Sequence, residues 1–200
     1  MNFYLWDIMP WAYLPHSAKV DFALLIAGIK PNLRVILDHP AEVYSPLKNL
    51  LKSHIVHNHN DVLYIADNLE VVRKLVKIDN DHMPHEIEFG CLLGYPKCCS
   101  EKIKVIGESD IDTYNDDFNQ KVERFSLLDI SLYNHGIGLI SHVPCSIDCE
   151  PSLRQAHQFY QSLRITVGSK KFCVWRNEII NYFSQNEYNH PYKIEKVFRR

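Results

Sequence analysis

Two short segments of this chain concentrate residues that bind soft metal ions or carry out thiol chemistry. The first covers residues 94–100 and the second covers residues 142–152; together they contain Cys98, Cys99, His142, Cys145 and Cys149. Thiolate and imidazole groups favour zinc and iron–sulfur clusters over hard cations. The second segment and one sulfur of the first supply four ligands, the number needed by tetrahedral Zn²⁺ or by the four corner irons of a cubane cluster. All five residues are therefore candidate metal ligands.

The first segment also has the features of an activated thiol. Pro96 is expected at the start of a helix, which places Cys98 and Cys99 in its first turn. Unpaired backbone N–H groups and the helix dipole stabilise a thiolate there and lower its pKa. Without a metal, Cys98 and Cys99 become the candidate catalytic thiols, and His142 becomes their acid–base partner.

The spacing leaves the nature of the centre open. Neighbouring residues of a helix diverge by roughly 100°, so Cys98 and Cys99 are not expected to bind one zinc ion together. An iron–sulfur cluster is large enough to reach both sulfurs, or one cysteine can ligate while the other reacts. We favour a metal- or iron–sulfur-binding protein that acts as a redox or thiol-dependent enzyme on a small molecule. The alternatives are a metal-free thiol enzyme, a structural zinc module that recruits a protein partner, and a set of small buried residues.

The other cysteines and a histidine-rich segment are weaker candidates. Cys91 and Cys173 lie in apolar stretches, so we interpret both as core residues. Residues 54–61 read His-Ile-Val-His-Asn-His-Asn-Asp, and their His-x-His-x-Asp is similar to part of the metallo-β-lactamase ligand motif. Val62 stands where that motif continues with histidine, which favours an exposed turn over a metal site.

The two cysteine segments together resemble a known family. Leu-Gly-Tyr-Pro-x-Cys-Cys at residues 93–99, followed by His-x-Pro-Cys-Ser-x-x-Cys-x-x-Ser at residues 142–152, is similar to the uncharacterised prokaryotic domain of unknown function numbered 483. The resemblance covers about the middle third of the chain. It implies that the two segments form one site, and it implies no reaction.

Composition narrows the functional classes. The chain has 200 residues, 46% of them hydrophobic and 23% charged, which is typical of a globular protein. Its longest apolar stretch, Phe22–Ile29, is too short to cross a bilayer, so no membrane association is expected. A net charge of −2 argues against a general nucleic-acid partner. The N-terminus lacks a basic signal region, so we expect a cytoplasmic protein with reduced thiols.

The sequence pattern predicts an α+β fold for the helices and strands that position the cysteines. Residues 1–80 are predicted to form a small α/β unit, in which strands near 32–38 and 62–66 make a short parallel or mixed sheet between helices. A turn-rich break at residues 79–84 marks the boundary to a mainly helical, cysteine-bearing unit of residues 81–200, and the two units are expected to pack as one globule. The pattern gives no Gly-rich phosphate-binding loop.

Overall fold

The computed structural model of the chain describes residues 14–37, 40–81, 85–121, 127–134, 136, 138–166 and 177. The first part contains α1 (His16–Ile26), β1 (Leu33–Ile36), α2 (Pro40–Leu50), β2 (Ile55–His59), β3 (Val62–Ala66) and α3 (Leu69–Asn80). The second part contains α4 (Glu86–Leu92), α5 (Lys97–Ile106), a single 3₁₀ turn (Glu108–Asp110), α6 (Ile111–Lys121), α7 (Ser131–Asn134) and α8 (Glu150–Thr166). The architecture is α+β.

The three strands form one antiparallel sheet in the order β1–β3–β2. The prediction of a parallel or mixed sheet is wrong, because residues 54–61, interpreted above as an exposed turn, contain β2. Asn60 and Asp61 make the two-residue turn between β2 and β3, with φ angles of 50° and 65°. This left-handed conformation suits hairpin turns, and asparagine and aspartate adopt it more readily than most residues. A two-residue turn joins only antiparallel strands.

Helices cover both faces of the sheet. On one face, side chains of all three strands pack against α1 and α2, with Leu33, Leu63 and Val43 fully buried. On the other face, Tyr64 packs against the apolar side of α3, which buries Leu75. This second face also contacts α4 residues that lead to the first cysteine segment. The sheet is thus a small platform that fixes the helices around it.

α1 is buried on opposite sides and connects the sheet to the cysteine-bearing region. Phe22 belongs to the core over the sheet, whereas Ala23 and Leu24 belong to a second core. The second core includes residues from α5, α6, α8 and the loop before α8: Cys99, Phe118, Ile140, Cys149, Ala156 and Phe159. A helix that is apolar on every side is expected to be buried, and residues 22–26 of α1, all of them buried, follow this rule.

Some predicted elements differ from the structure or lie outside the described residues. Ser45–Pro46 is a pair typical of a helix start, but α2 begins at Pro40 and Pro46 lies inside it. Cys173 lies outside the described residues, as do 82–84 of the predicted unit boundary, so the two-unit division stays a prediction. No helix among the described residues is long and apolar enough to cross a membrane.

Candidate metal centre

The first helix turn of α5 carries Cys98 and Cys99. Pro96 caps this helix, and the backbone N–H of Cys99 donates to the Pro96 carbonyl at 2.9 Å. The sharp turn that leads into α5 depends on Gly94, whose φ is +82° and whose missing Cβ leaves room for the ring of Pro31. The sequence therefore places both thiols at the positive end of a helix dipole, as expected from Pro96.

The start of α8 and the loop before it carry the other two cysteines. Cys149 immediately precedes α8 and accepts a backbone hydrogen bond from Leu153 at 2.9 Å. The loop around Cys145 is held by α6, because the hydroxyl of Tyr114 lies 3.0 Å from the carbonyl oxygens of both Pro144 and Cys145. A second helix N-terminus therefore faces the same place as the first.

The two segments converge on one group of four sulfurs. The Sγ atoms of Cys98, Cys99, Cys145 and Cys149 all lie within 4.8 Å of one another. Cys98 Sγ is 4.0 Å from Cys99 Sγ and 3.9 Å from Cys149 Sγ, and Cys99 Sγ is 3.6 Å from Cys149 Sγ. Cys98 and Cys99 both belong to this group, although neighbouring residues of a helix diverge by roughly 100°, because both sulfurs lie close to Cys149 at the start of α8. Such a group of thiols can bind a metal ion.

The thiols of the group differ in acidity. Burial raises the pKa of Cys99 well above its usual range, although the nearby Ser152 hydroxyl and the backbone N–H of Cys145 act to lower it. Burial and the neighbouring thiols raise the pKa of Cys145 to about 11. Burial also acts to raise the pKa of Cys149, but donation from Ser152 and from the thiols of Cys145 and Cys99 outweighs it and lowers that pKa. The expectation of an acidic thiol at the start of α5 is therefore not met at Cys99, whose side chain is buried in the core. The lowered pKa belongs to Cys149 at the start of α8.

His142 lies beside the sulfur group and is not a member of it. Its side chain is buried, and Nε2 lies 2.7 Å from Oγ of Ser152. Burial, aided by the positive charge of Lys30, lowers the pKa of His142 to about 3, so the imidazole is neutral at neutral pH. The structure thus brings four of the five candidate ligands together. The fifth, His142, is separated from the sulfurs by the side chain of Ser152.

Ser152 is the polar neighbour of the sulfurs that the sequence analysis missed. It is fully buried, and its Oγ lies 3.2 Å from Cys149 Sγ and 3.3 Å from Cys99 Sγ. A signal was present in the sequence, because a serine three residues after a cysteine at a helix start can face that side chain. The resemblance motif also ends at this serine.

A buried ion pair supports the loop that carries His142. Lys30, between α1 and β1, forms a salt bridge with Asp21 of α1 and donates to Ser141 Oγ at 3.1 Å. The hydroxyl of Tyr133 donates to the other Asp21 oxygen at 2.8 Å. Burial acts to lower the pKa of Lys30, but Asp21 and Tyr95 outweigh it and raise that pKa, so the ammonium stays charged. The pair ties α1 to the residue next to His142.

The remaining candidates do not join a metal group. Among the described residues, only the four cysteines form a cluster that could hold a metal ion, so the histidine-rich segment at 54–61 supplies none. His57 and His59 stack on one face of β2, with ring centroids 6.4 Å apart. Cys91 was interpreted as a core residue, but it is exposed on α4, and that interpretation is wrong.

Comparison of the chain with protein-family models, curated proteins and solved structures finds no match. The resemblance to the domain of unknown function numbered 483 therefore stays a prediction. What is known of the site rests on the residues themselves: four cysteine sulfurs from two helix starts and one loop, close enough together to bind a metal ion.

Proposed function

We propose that this protein binds a single tetrahedral zinc ion through Cys98, Cys99, Cys145 and Cys149. The observation that carries the proposal is the mutual closeness of the four sulfurs, all within 4.8 Å. A zinc ion with Zn–S bonds of about 2.3 Å separates the corners of its tetrahedron by about 3.8 Å. The three separations among the sulfurs of Cys98, Cys99 and Cys149, which are 3.6, 3.9 and 4.0 Å, match this spacing.

The same spacing favours one ion over an iron–sulfur cluster. In a cubane cluster each thiolate binds a different iron, so the cluster itself stands between the sulfurs and holds them further apart. A two-iron cluster likewise divides its four thiolates between two metal atoms. Thiolate ligands also argue against magnesium and calcium, which take oxygen. Zinc is the ion whose usual four-cysteine geometry agrees best with this group.

The four-cysteine set supports a structural role for the ion. Catalytic zinc sites keep one position open for water or substrate, whereas structural sites fill all four positions with protein ligands. The pocket beside Lys30, Tyr95 and His142 has space for about one water molecule, far less than a ligand pocket needs. The role we assign to zinc is therefore to fasten the N-termini of α5 and α8 and the loop of Cys145 into one unit.

Metal analysis of the protein tests this proposal directly. The full chain, purified anaerobically under reducing conditions, is expected to contain one zinc per chain and no broad visible absorption. Cys149→Ser is expected to lose the ion, whereas Cys91→Ser keeps it, because Cys91 is exposed on α4 and lies outside the sulfur group. Serine is a poor ligand for a soft metal and nearly the same size as cysteine.

Two results would overturn the proposal and name its replacement. A brown protein containing iron and inorganic sulfide would show a cluster in place of zinc. A metal-free protein that reversibly forms a disulfide between Cys99 and Cys149, whose sulfurs are 3.6 Å apart, would show a thiol redox protein.

A further inference from the structure

The hydroxyl of Ser152 stands between the imidazole of His142 and the sulfur group. Its Oγ lies 2.7 Å from His142 Nε2, 3.2 Å from Cys149 Sγ and 3.3 Å from Cys99 Sγ. Ser152 is fully buried, and His142 is 6% exposed. A serine hydroxyl has one proton to donate and two lone pairs that accept. Three polar neighbours therefore compete for that single proton.

A bound metal limits the possible positions of the Ser152 proton. This step rests on the proposed function. Metal-bound thiolates carry no proton, so the sulfurs of Cys149 and Cys99 can only accept hydrogen bonds. The 3.2 Å contact has the Ser152 hydroxyl donating to Cys149 Sγ, and in that arrangement the oxygen of Ser152 accepts from His142. His142 accordingly carries a proton on Nε2, whichever charge state the ring has.

We propose that Ser152 and His142 are positioning residues of the metal centre. His142 donates from Nε2 to Ser152, and this bond turns the Ser152 proton toward the sulfur of Cys149. An O–H···S bond draws charge from the thiolate, so the ligand is held in place and competes less well for protons. Groups in this outer position commonly change metal affinity by about 10- to 100-fold when they are removed.

The position of His142 argues against its being a ligand in the same centre. Four sulfurs already lie within 4.8 Å of one another, which fills a tetrahedral site. The Nε2 atom of His142 is directed at the Ser152 hydroxyl. Ligation by His142 would require this bond to break and one cysteine to leave. The structure places the imidazole two hydrogen bonds away from the sulfur of Cys149, with the Ser152 hydroxyl between them.

A matched pair of His142 variants tests the inference. His142→Gln keeps a side-chain N–H that can donate to Ser152, whereas His142→Leu has similar size and no donor. Ser152→Ala removes the hydroxyl that both act through. Zinc affinity is measured by competition with a chromophoric chelator, and Co²⁺ loading reports the thiolate-to-metal absorption band. Each measurement uses the full chain, with wild type and Cys91→Ser as references.

The inference predicts a graded result. Ser152→Ala and His142→Leu should bind zinc about 10- to 100-fold more weakly and shift the cobalt band, while His142→Gln should stay close to wild type. All three should still bind one metal per chain. If Ser152→Ala does not fold, the comparison of His142→Gln with His142→Leu decides the question.

Other outcomes have separate meanings. A wild-type chain that binds no metal removes the proposed function itself. A wild-type chain that binds zinc, with all three variants matching it in affinity and cobalt spectrum, removes only this inference. Loss of the metal from both His142 variants, to the same extent as from Cys149→Ser, would show that His142 is a ligand and would also overturn the inference.

Discussion

Replacing Lys30 by methionine tests whether the buried ion pair with Asp21 stabilises the cysteine-bearing region. The two side chains are 5% and 6% exposed, so water reaches neither charge. Lys30 also donates to Ser141 at 3.1 Å, and Tyr133 donates to Asp21 at 2.8 Å. Methionine removes the ammonium and keeps most of the apolar volume. The Asp21 carboxylate then stays buried with the Tyr133 hydroxyl and without a cation.

The expected loss follows from the burial of this pair. Removing one partner of a buried ion pair costs about 3–5 kcal/mol, because the other charge is left uncompensated. The pKa of Lys30 is raised in the folded protein, since Asp21 and Tyr95 outweigh the effect of burial. A group with a raised pKa contributes its full stability below its unfolded pKa, about 10.4 for lysine, and loses it as the pH rises through the folded value. The effect of Lys30→Met should therefore be constant from neutral pH to about pH 9.

Urea unfolding of the zinc-loaded protein measures the loss. With an m value of about 2–3 kcal/mol per molar urea, the upper part of the usual range, the midpoint should fall by about 1–2.5 M. Lys74→Met is the matched control, because its pair with Glu88 has side chains 50% and 44% exposed and is screened by solvent. That variant should shift the midpoint far less. Replacing both Lys30 and Asp21 by apolar residues should recover most of the stability, since no buried charge remains.

The result that refutes this reasoning is specific. If Lys30→Met and Lys74→Met shift the midpoint equally, burial of the Lys30–Asp21 pair contributes nothing beyond a surface pair. If the double variant is no more stable than Lys30→Met, the loss comes from packing and not from the unpaired carboxylate of Asp21.

Three further predictions concern pH, a glycine turn and a helix cap. The pKa of His142 is lowered from 6.5 to about 3, so below pH 6.5 the unfolded chain binds a proton that the folded chain does not. As the pH falls, the stability of wild type relative to His142→Gln, measured by urea unfolding, should therefore decrease by up to about 1.4 kcal/mol per pH unit. Parallel pH profiles of the two proteins would contradict this. Gly94→Ala should lower the melting temperature more than Gly28→Ala. Both glycines have a positive φ, but only the new Cβ at residue 94 would come within 2.4 Å of the Pro31 ring. Equal melting temperatures would show that this contact relaxes. Asn68→Ala should cost about 1 kcal/mol in urea unfolding, whereas Asn68→Asp, which keeps a capping oxygen for the first turn of α3, should cost little.

Local sequence signals mark several helix ends correctly, but they do not predict the antiparallel sheet. The cap at Asn68, the glycine at 94 and Pro96 each fix a helix end by backbone chemistry within a few residues. β2 has the opposite character, because histidine and asparagine at residues 57–59 have weak strand preference. Its pairing with β3 depends on the turn at Asn60 and Asp61 and on the apolar partner strand. Tertiary pairing thus overrode the local pattern.

The candidate site was predictable as a set of residues but not as a ligand set. Spacing alone grouped His142 with the cysteines, since both residue types bind zinc. Only the folded geometry separates them, with the sulfurs together and His142 directed at Ser152. The sequence also did not predict the buried ion pair of Lys30, because the packing of α1 brings Asp21 and the Ser141 hydroxyl to it.

The placement of the cysteines at helix starts has an electrostatic reason. A zinc ion bound by four thiolates, as proposed, carries a net double negative charge, which a buried site tolerates only with compensating donors. The N-termini of α5 and α8 both face the sulfurs, and Ser152 and the backbone N–H of Cys145 add hydrogen bonds to Cys149 and Cys99. Lys30 cannot supply this compensation, because Asp21 already neutralises it. The hydrogen-bond donors therefore come from the same short segments as the sulfur ligands. The two helix starts provide the N–H groups that the backbone of a Cys-x₂-Cys turn provides in other zinc sites.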